Sequence, residues 1–303
     1  METSGNIIEL DDKEELEETK SLLTYMIEQD KIHHDKYHVP PSIYPGIPPE
    51  VSEIFRANNM GFAAFLLEQE RLIVDTATFD MRCEYTNIST IITFNYAHAY
   101  LLLLDHHNTK GVEWFRNRFG DIYKTDEHSY TRVSMNTINI VNRNWYFTYF
   151  HQWEYTLRAL VAHFQKNGRN IAKYSRQKNG GYKETKAKLS AGDSFSTIWL
   201  SLIKMYLQHK SQESDTLFNL NVTIRNCVHN FMVYKPVKES EESLTFNYKG
   251  RTFSFTAGKP VSFLYPSMCR FLIKELYNFM ISLFDHEEIH QEKYIATYIS
   301  KFQ

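Results

Sequence analysis

Arg225 and His229 stand four residues apart in the stretch IRNCVHN, and Asn226 and Asn230 follow them directly. On a helix that spacing puts the guanidinium and the imidazole one turn apart on the same face, within reach of a common ligand. Asn226 and Asn230 form a second such pair, turned about 100 degrees around the axis. A guanidinium holds a phosphate through two parallel hydrogen bonds and neutralises charge that develops on it. An imidazole titrates near neutrality and can take or give a proton. Together they suit RNA cleavage without a metal, in which the ribose 2′-hydroxyl attacks its own phosphate. That reaction asks the protein for a proton acceptor, a proton donor and charge stabilisation. One Arg and one His are a minimal set, and a second copy from another subunit would complete it.

The helix that must carry this pair has Leu217, Leu220, Ile224, Val228 and Phe231 in a different sector, which leaves Arg225 and His229 on the boundary of the apolar face. A groove or a subunit interface would suit them there. All eight prolines lie outside Glu50 to Lys235, and Phe62 to Lys110 and Asp121 to Asn167 also lack glycine. An interior proline costs a helix about 3 kcal/mol, so this interval is predicted to be stacked helices. One stripe runs through Ile88, Ile91, Ile92, Tyr96, Ala99 and Leu103, and another through Ile138, Val141, Trp145, Thr148, Tyr149, Trp153, Leu157, Leu160 and Phe164.

Upstream, Asp11 or Asp12 can cap a first helix to about Lys31, and VPPSIYPGIPP then breaks the chain into an extended connector. From Ser194 a helix with Phe195, Ile198, Trp199, Leu202, Met205 and Tyr206 precedes the one that carries the Arg and His. After Pro236 the period switches to two, and LTFNY and RTFSF flank KG as a hairpin from Leu244 to Phe255. A last helix runs from about Pro266 to Asp285. The expected fold is mainly α, a multi-helix bundle with a short β-hairpin before the C-terminal helix. Residues 1–49 read as an N-terminal helix and Pro-rich connector. Residues 50–192 read as a helical region with a basic connector at 165–188, and 193–303 as a C-terminal part, separate from or continuous with it.

IRNCVHN resembles the signature of the HEPN superfamily (higher eukaryotes and prokaryotes nucleotide-binding), helical bundles that carry an Arg, then a polar residue, then a His. A bacterial branch of the superfamily is similar around the motif as well, with a short hairpin and a closing helix where this chain has LTFNYKGRTFSF and YPSMCRFLIKELYNFMISLF. The resemblance covers about the last 110 residues. It implies a four- or five-helix core, usually dimeric, in which the Arg and His of two subunits face each other across a cleft that cuts RNA. Many members act in toxin or anti-phage systems, and others are catalytically silent. By this likeness Arg225 binds phosphate, His229 is the acid or base, Asn226 orients the substrate or the His, and Asn230 is an adjacent candidate. The Arg-to-His spacing is shorter here than is usual in the family. Phe231 and Met232 stand where that branch often has Asn-Gly. These departures motivate an alternative: a non-catalytic HEPN-like binding or dimerisation module with a structural Arg–His pair. An antitoxin or other defence partner accompanies the first reading.

QKNGRNIAKYSRQKNGGYKETKAK, from Gln165 to Lys188, is the one strongly basic segment, with Glu184 its single acid. Read as a phosphate-tracking element, it offers Lys166, Arg169, Lys173, Arg176 and Lys178 to RNA, with Tyr174 or Tyr182 available to stack on bases. Read blandly, it is a solvated connector. A literal match to the longer Arg-to-His spacing, Arg158 and His163, has its side chains turned apart on a helix and reads as chance. DHEEIH reads as a solvated helix end, since a di-iron bundle needs a second Glu-x-x-His unit that is lacking. DHHN at Asp105 to Asn108 is expected to close the helix that ends in LLLL, and HHDKYH to mark another helix end. No metal site or cofactor is predicted.

The composition bounds the partners. With 34 basic and 36 acidic residues the formal charge is −2, so any nucleic acid or anionic surface must be held by a local patch. Three cysteines without paired spacing argue against a disulfide framework or a structural zinc, and fit a reducing cytoplasm. The acidic N-terminus does not resemble a signal peptide, and the most apolar segment, AYLLLL, is far shorter than a membrane span. The expectation is a soluble, cytoplasmic protein away from the membrane.

Overall fold

A computed structural model describes residues 12–37, 80–119, 127–176, 182–207, 211–228, 230, 232–236, 242–292 and 295. Among them the chain is mainly α-helical. The helices are α1 (Asp12–Lys36), α2 (Met81–Phe119), α3 (Glu127–Lys166), α4 (Phe195–Tyr206), α5 (Ser211–Val228), α6 (Pro266–Phe284) and the single turn α7 (Glu287–His290). Two antiparallel strand pairs interrupt them: β1 (Ala172–Arg176) with β2 (Tyr182–Lys188), and β3 (Ser243–Tyr248) with β4 (Arg251–Thr256). The chain divides into two compact units. The first gathers Met1–Met26, Ser89–His151 and Gln212–Phe279, and the second Ile27–Ile88, Gln152–Ser211 and Met280–Gln303.

In the first unit the predicted α3 and α5 stripes supply core residues. Of the α2 stripe only Tyr96 is buried: Ile88, Ile91, Ile92, Ala99 and Leu103 stay partly exposed because α2 turns Ser89, Thr93 and Tyr100 inward instead. Trp145, Tyr149, Leu217, Leu220 and Ile224 are buried, and Tyr96 stacks on Trp145 with ring centroids 3.9 Å apart and planes within 8°. The Tyr96 hydroxyl then donates to Asn142 Oδ1 at 2.6 Å, so the polar end of a buried ring has its partner. Thr148, placed on the stripe by its spacing, is exposed. Arg270, nearly buried on α6, pairs with Glu15 and Glu18 of α1. Burial pushes the Glu15 carboxyl up and outweighs the opposing pull of Arg270.

The β3–β4 hairpin turns on Lys249 and Gly250, both at positive φ (45° and 75°). That is the backbone of a turn matching the right-handed twist of a two-residue hairpin, and Gly250 adopts it without a Cβ clash. Phe253 and Phe255 point inward from β4, and Tyr248 donates to Glu275 on α6 at 2.8 Å.

In the second unit Trp153 meets Trp199 (4.7 Å between centroids) and Phe195 edge-on (5.3 Å), joining α3 to α4. Ser194 caps α4, its side chain accepting from Thr197 N at 3.3 Å. Gly168, at φ 71°, ends α3, and Arg169 N donates back to Phe164 O at 2.9 Å, the bonding of a left-handed helix stop.

Two expectations are corrected. The segment 165–188, read as a connector, carries the β1–β2 hairpin. DHHN does not close a helix, because α2 runs through it to Phe119. A lone glycine such as Gly111 costs a helix only about 1 kcal/mol, and with no proline nearby nothing stops the run. The Pro-rich connector VPPSIYPGIPP lies outside the described residues.

Candidate functional site

Helix α5 positions the Arg225 group, and α5 is itself pinned by a buried polar contact. Tyr146 of α3 donates to Asn221 Oδ1, and Asn221 Nδ2 donates to Leu217 O at 2.7 Å within α5. Both side chains are fully buried, so the amide is satisfied at each end and the rotation of α5 is fixed. Arg225 follows Asn221 by one turn. It is half-buried, Asn226 is exposed, and Ile224 and Cys227 on either side of the pair are buried. The Arg therefore stands where the apolar face meets solvent, as its spacing predicted.

Past Val228, Asn230 sends its side-chain amide to Asn226 O at 3.0 Å, and its backbone N donates to Cys227 O at 3.0 Å. These bonds take up two of the carbonyls that a helix end leaves without partners. Met232 follows at φ 66°, a conformation that favours glycine. Its carbonyl accepts from Val261 N at 2.8 Å, and Tyr234 N donates to Lys259 O at 3.0 Å, which ties the segment after α5 to the one that leaves β4. Of the motif, then, Arg225, Asn226 and Asn230 cluster at one helix terminus, and His229 lies outside the described residues.

The basic residues divide sharply. Arg169 pairs with Glu288 and with Glu292 (3.1 Å) and lies 4.7 Å over the Phe164 ring; Lys173 Nζ is 2.6 Å from Asp193 Oδ1. Both cations are engaged inside the second unit. Lys166 is exposed, Arg176 ends β1, and Lys178 lies outside the described residues. The exposed cations of the hairpin are instead Lys183, Lys186 and Lys188 on β2. Their signal in the sequence was the K-x-x-K-x-K spacing, legible only once the segment is known to be a strand.

No family model, curated protein or solved structure matches this chain.

Arg158 is held by Glu154 and by the Ala191 and Asp193 carbonyls, both at 2.9 Å, whereas His163 bonds Asn167 at 2.9 Å. The two thus serve separate local purposes. His33 donates from Nδ1 to Gln29 O at 2.9 Å, and burial pushes its pKa down, which favours the neutral ring. His286 caps the turn α7, accepting from Glu288 N. Among the described residues no group of three or more His, Cys, Asp or Glu is placed to hold a metal ion, and no helix is long and apolar enough to cross a membrane.

One buried cluster left no trace in the motif reading. Asp80 and Arg82, 1% and 0% exposed, form an ion pair at 2.6 Å. Arg82 also donates to the carbonyls of Ile289 (2.8 Å), His290 (3.1 Å) and Glu292 (2.9 Å), and the Asp80 carboxylate accepts from Ile295 N at 3.1 Å. Next to them Glu84 is buried with one carboxylate oxygen lacking a hydrogen-bond partner, and burial raises its pKa to about 7. The Asp80–Arg82 pair thus fastens the chain after α6 to the start of α2, where Asp80 Oδ1 also accepts from Arg82 N at 2.9 Å.

Proposed function

We propose that this protein is a HEPN-like, metal-independent endoribonuclease of a toxin or anti-phage defence type, acting in the cytoplasm as a homodimer. The observation that carries the reading is the end of α5. Arg225 stands half-buried at the solvent boundary of a helix whose rotation is fixed by Tyr146 and Asn221, and the chain then leaves through a left-handed residue, Met232, at the position where the similar bacterial branch often has glycine. In this reading Arg225 binds the scissile phosphate and His229 takes the proton of the 2′-hydroxyl. The 2′-oxygen forms its bond to phosphorus as the bond to the 5′-oxygen breaks, and the leaving oxygen receives a proton from the second subunit's copy of the same imidazole. Asn226 orients the substrate or the ring, and Asn230 supports Asn226 through the bond to its carbonyl. An antitoxin or other defence partner would restrain the activity.

Incubating the full chain with RNA in EDTA, beside Arg225→Ala and His229→Ala, tests this reading. The expected result is cleavage by the native protein and a loss of at least about a hundredfold in each variant. Equal cleavage in all three, or none in any, rules it out.

A second reading is favoured by the Asn230 amide bonded to the Asn226 carbonyl, together with the short Arg-to-His spacing: a non-catalytic HEPN-like binding or dimerisation module whose Arg and His hold the helix end. Its mark is thermodynamic. His229→Ala would then destabilise the protein by about 1 to 3 kcal/mol through a lost buried hydrogen bond, whereas a catalytic histidine can be removed at little cost in stability.

A further inference from the structure

We propose that β2 is a second contact for the substrate, a surface that holds the phosphate backbone of single-stranded RNA. The choice of RNA rests on the ribonuclease reading; the choice of a nucleic-acid backbone rests on the strand itself. Lys183, Lys186 and Lys188 are all exposed, and among the described residues none of them is in an ion pair. This contrasts with Arg169 and Lys173 nearby in sequence, each neutralised by its own carboxylate. Successive strand residues face opposite sides, so Lys188, paired with Ala172, shares a face with Tyr174 and Glu184 and has Lys186 two residues away, whereas Lys183, paired with Ser175, lies on the other face. Two ammonium groups about 7 Å apart along the strand can meet two successive phosphates.

The platform is anchored from the other strand. β1 is fixed to α4, where Tyr174 N donates to Ser201 Oγ at 3.0 Å and that hydroxyl donates on to Thr197 O at 2.8 Å, and Lys173 is clamped to Asp193. β2 pairs with β1 alone among the described residues, so one of its edges is open and its lysines project from the faces beside that edge. Tyr174, half-buried and cross-strand from Glu184, supplies a ring beside them for stacking on a base. The sequence of β2, YKETKAK, offers no large aliphatic side chain for insertion into lipid, which disfavours an anionic membrane as the occupant. Lysines on an edge strand also discourage strand-to-strand pairing, a role that predicts no affinity for RNA.

Fluorescence anisotropy with a labelled oligouridylate, in a His229→Ala background so that cleavage does not intervene while the Arg225 guanidinium is kept, separates these roles. The triple variant Lys183→Gln, Lys186→Gln, Lys188→Gln is expected to bind roughly tenfold more weakly or worse at low salt. Its plot of log affinity against log salt should be shallower by about 1.4, the loss of the two phosphate contacts of Lys186 and Lys188 at about 0.7 each. Glu184→Gln, which removes the acid between the lysines, is expected to bind more tightly than the background protein. Unchanged affinity and salt slope in the triple variant, no binding by the His229→Ala protein, or binding to phosphatidylserine vesicles in place of the oligonucleotide overturns the proposal. Lysine-dependent binding by a native protein that cuts nothing keeps this inference and removes the nuclease; cleavage with binding indifferent to the three lysines does the reverse.

Discussion

The guanidinium of Arg82 lies 3.6 Å over the ring of Tyr37, while its nitrogens reach Asp80 and three backbone carbonyls of the segment after α6. An arginine with no exposed surface survives because one face of its planar cation lies on a ring and each of its nitrogens has an acceptor. The consequence is a clamp in which one side chain fixes the start of α2, the end of α1 and the chain beyond Ile289.

Removing the cation should expose this dependence. Arg82→Met leaves the buried Asp80 carboxylate without its counter-charge and is expected to destabilise the protein by about 3 to 5 kcal/mol in urea unfolding. Asp80→Asn combined with Arg82→Met should recover part of that loss, since no charge is then stranded. A double variant as unstable as the sum of the singles would show that the two residues act independently.

Glu84 makes stability fall as pH rises. Its folded pKa, raised by burial to about 7 from an unfolded value of 4.5, means that the folded state keeps a proton the unfolded state releases. Between about pH 4.5 and 7 the unfolded state is progressively favoured, by about 3 kcal/mol in all, and the penalty is constant above that window. The buried Glu15 carboxyl and the half-buried Asp30 carboxyl shift in the same direction. The informative quantity is therefore the difference between native and Glu84→Gln unfolding free energies, which should grow across that window in favour of the variant and then level off.

The Tyr146–Asn221 contact sets the rotation of α5. Tyr146→Phe leaves the buried Asn221 oxygen without its donor and is expected to cost about 1 to 3 kcal/mol. Asn221→Leu alone strands the tyrosine hydroxyl, so the two substitutions made together should cost less than their sum. Under the ribonuclease reading, Tyr146→Phe should also lower cleavage, although Tyr146 lies outside the proposed catalytic set. Thermal melts and the EDTA cleavage assay report the two effects separately.

Cys83, Cys227 and Cys269 are free and buried, and burial raises all three pKa values, to about 12 for Cys83 and about 11 for Cys227. A thiol held protonated and out of solvent is a poor nucleophile. A thiol-reactive disulfide reagent at neutral pH should leave the native protein unlabelled and modify all three cysteines in denaturant. Rapid labelling of Cys227 in the native state would mean that the end of α5 opens readily.

Local periodicity carried much of the architecture. The α3 stripe from Ile138 to Phe164, the α4 face at Phe195, Ile198, Trp199 and Leu202, the KG turn and the limits of α6 are each set by residues within a few positions of one another. That is the range over which helix and hairpin geometry act. The placing of Arg225 at an apolar boundary was legible for the same reason. Other features depended on partners far along the chain. Nothing near Asp80 and Arg82 foretells that carbonyls at Ile289, His290 and Glu292 will close around them. Nothing in KYSR and YKETKAK marks strands until β1 is fixed to α4 through Tyr174 and Ser201. Arg169 and Lys173 looked as available as Lys183 until Glu288, Glu292 and Asp193 were brought to them. The sequence by itself determined that α3 to α6 are helical, most of the faces that they bury and which residue types reach a surface. Only the tertiary structure decided which charges are neutralised internally and which stay exposed, because ion pairing and desolvation depend on distances that local spacing does not set.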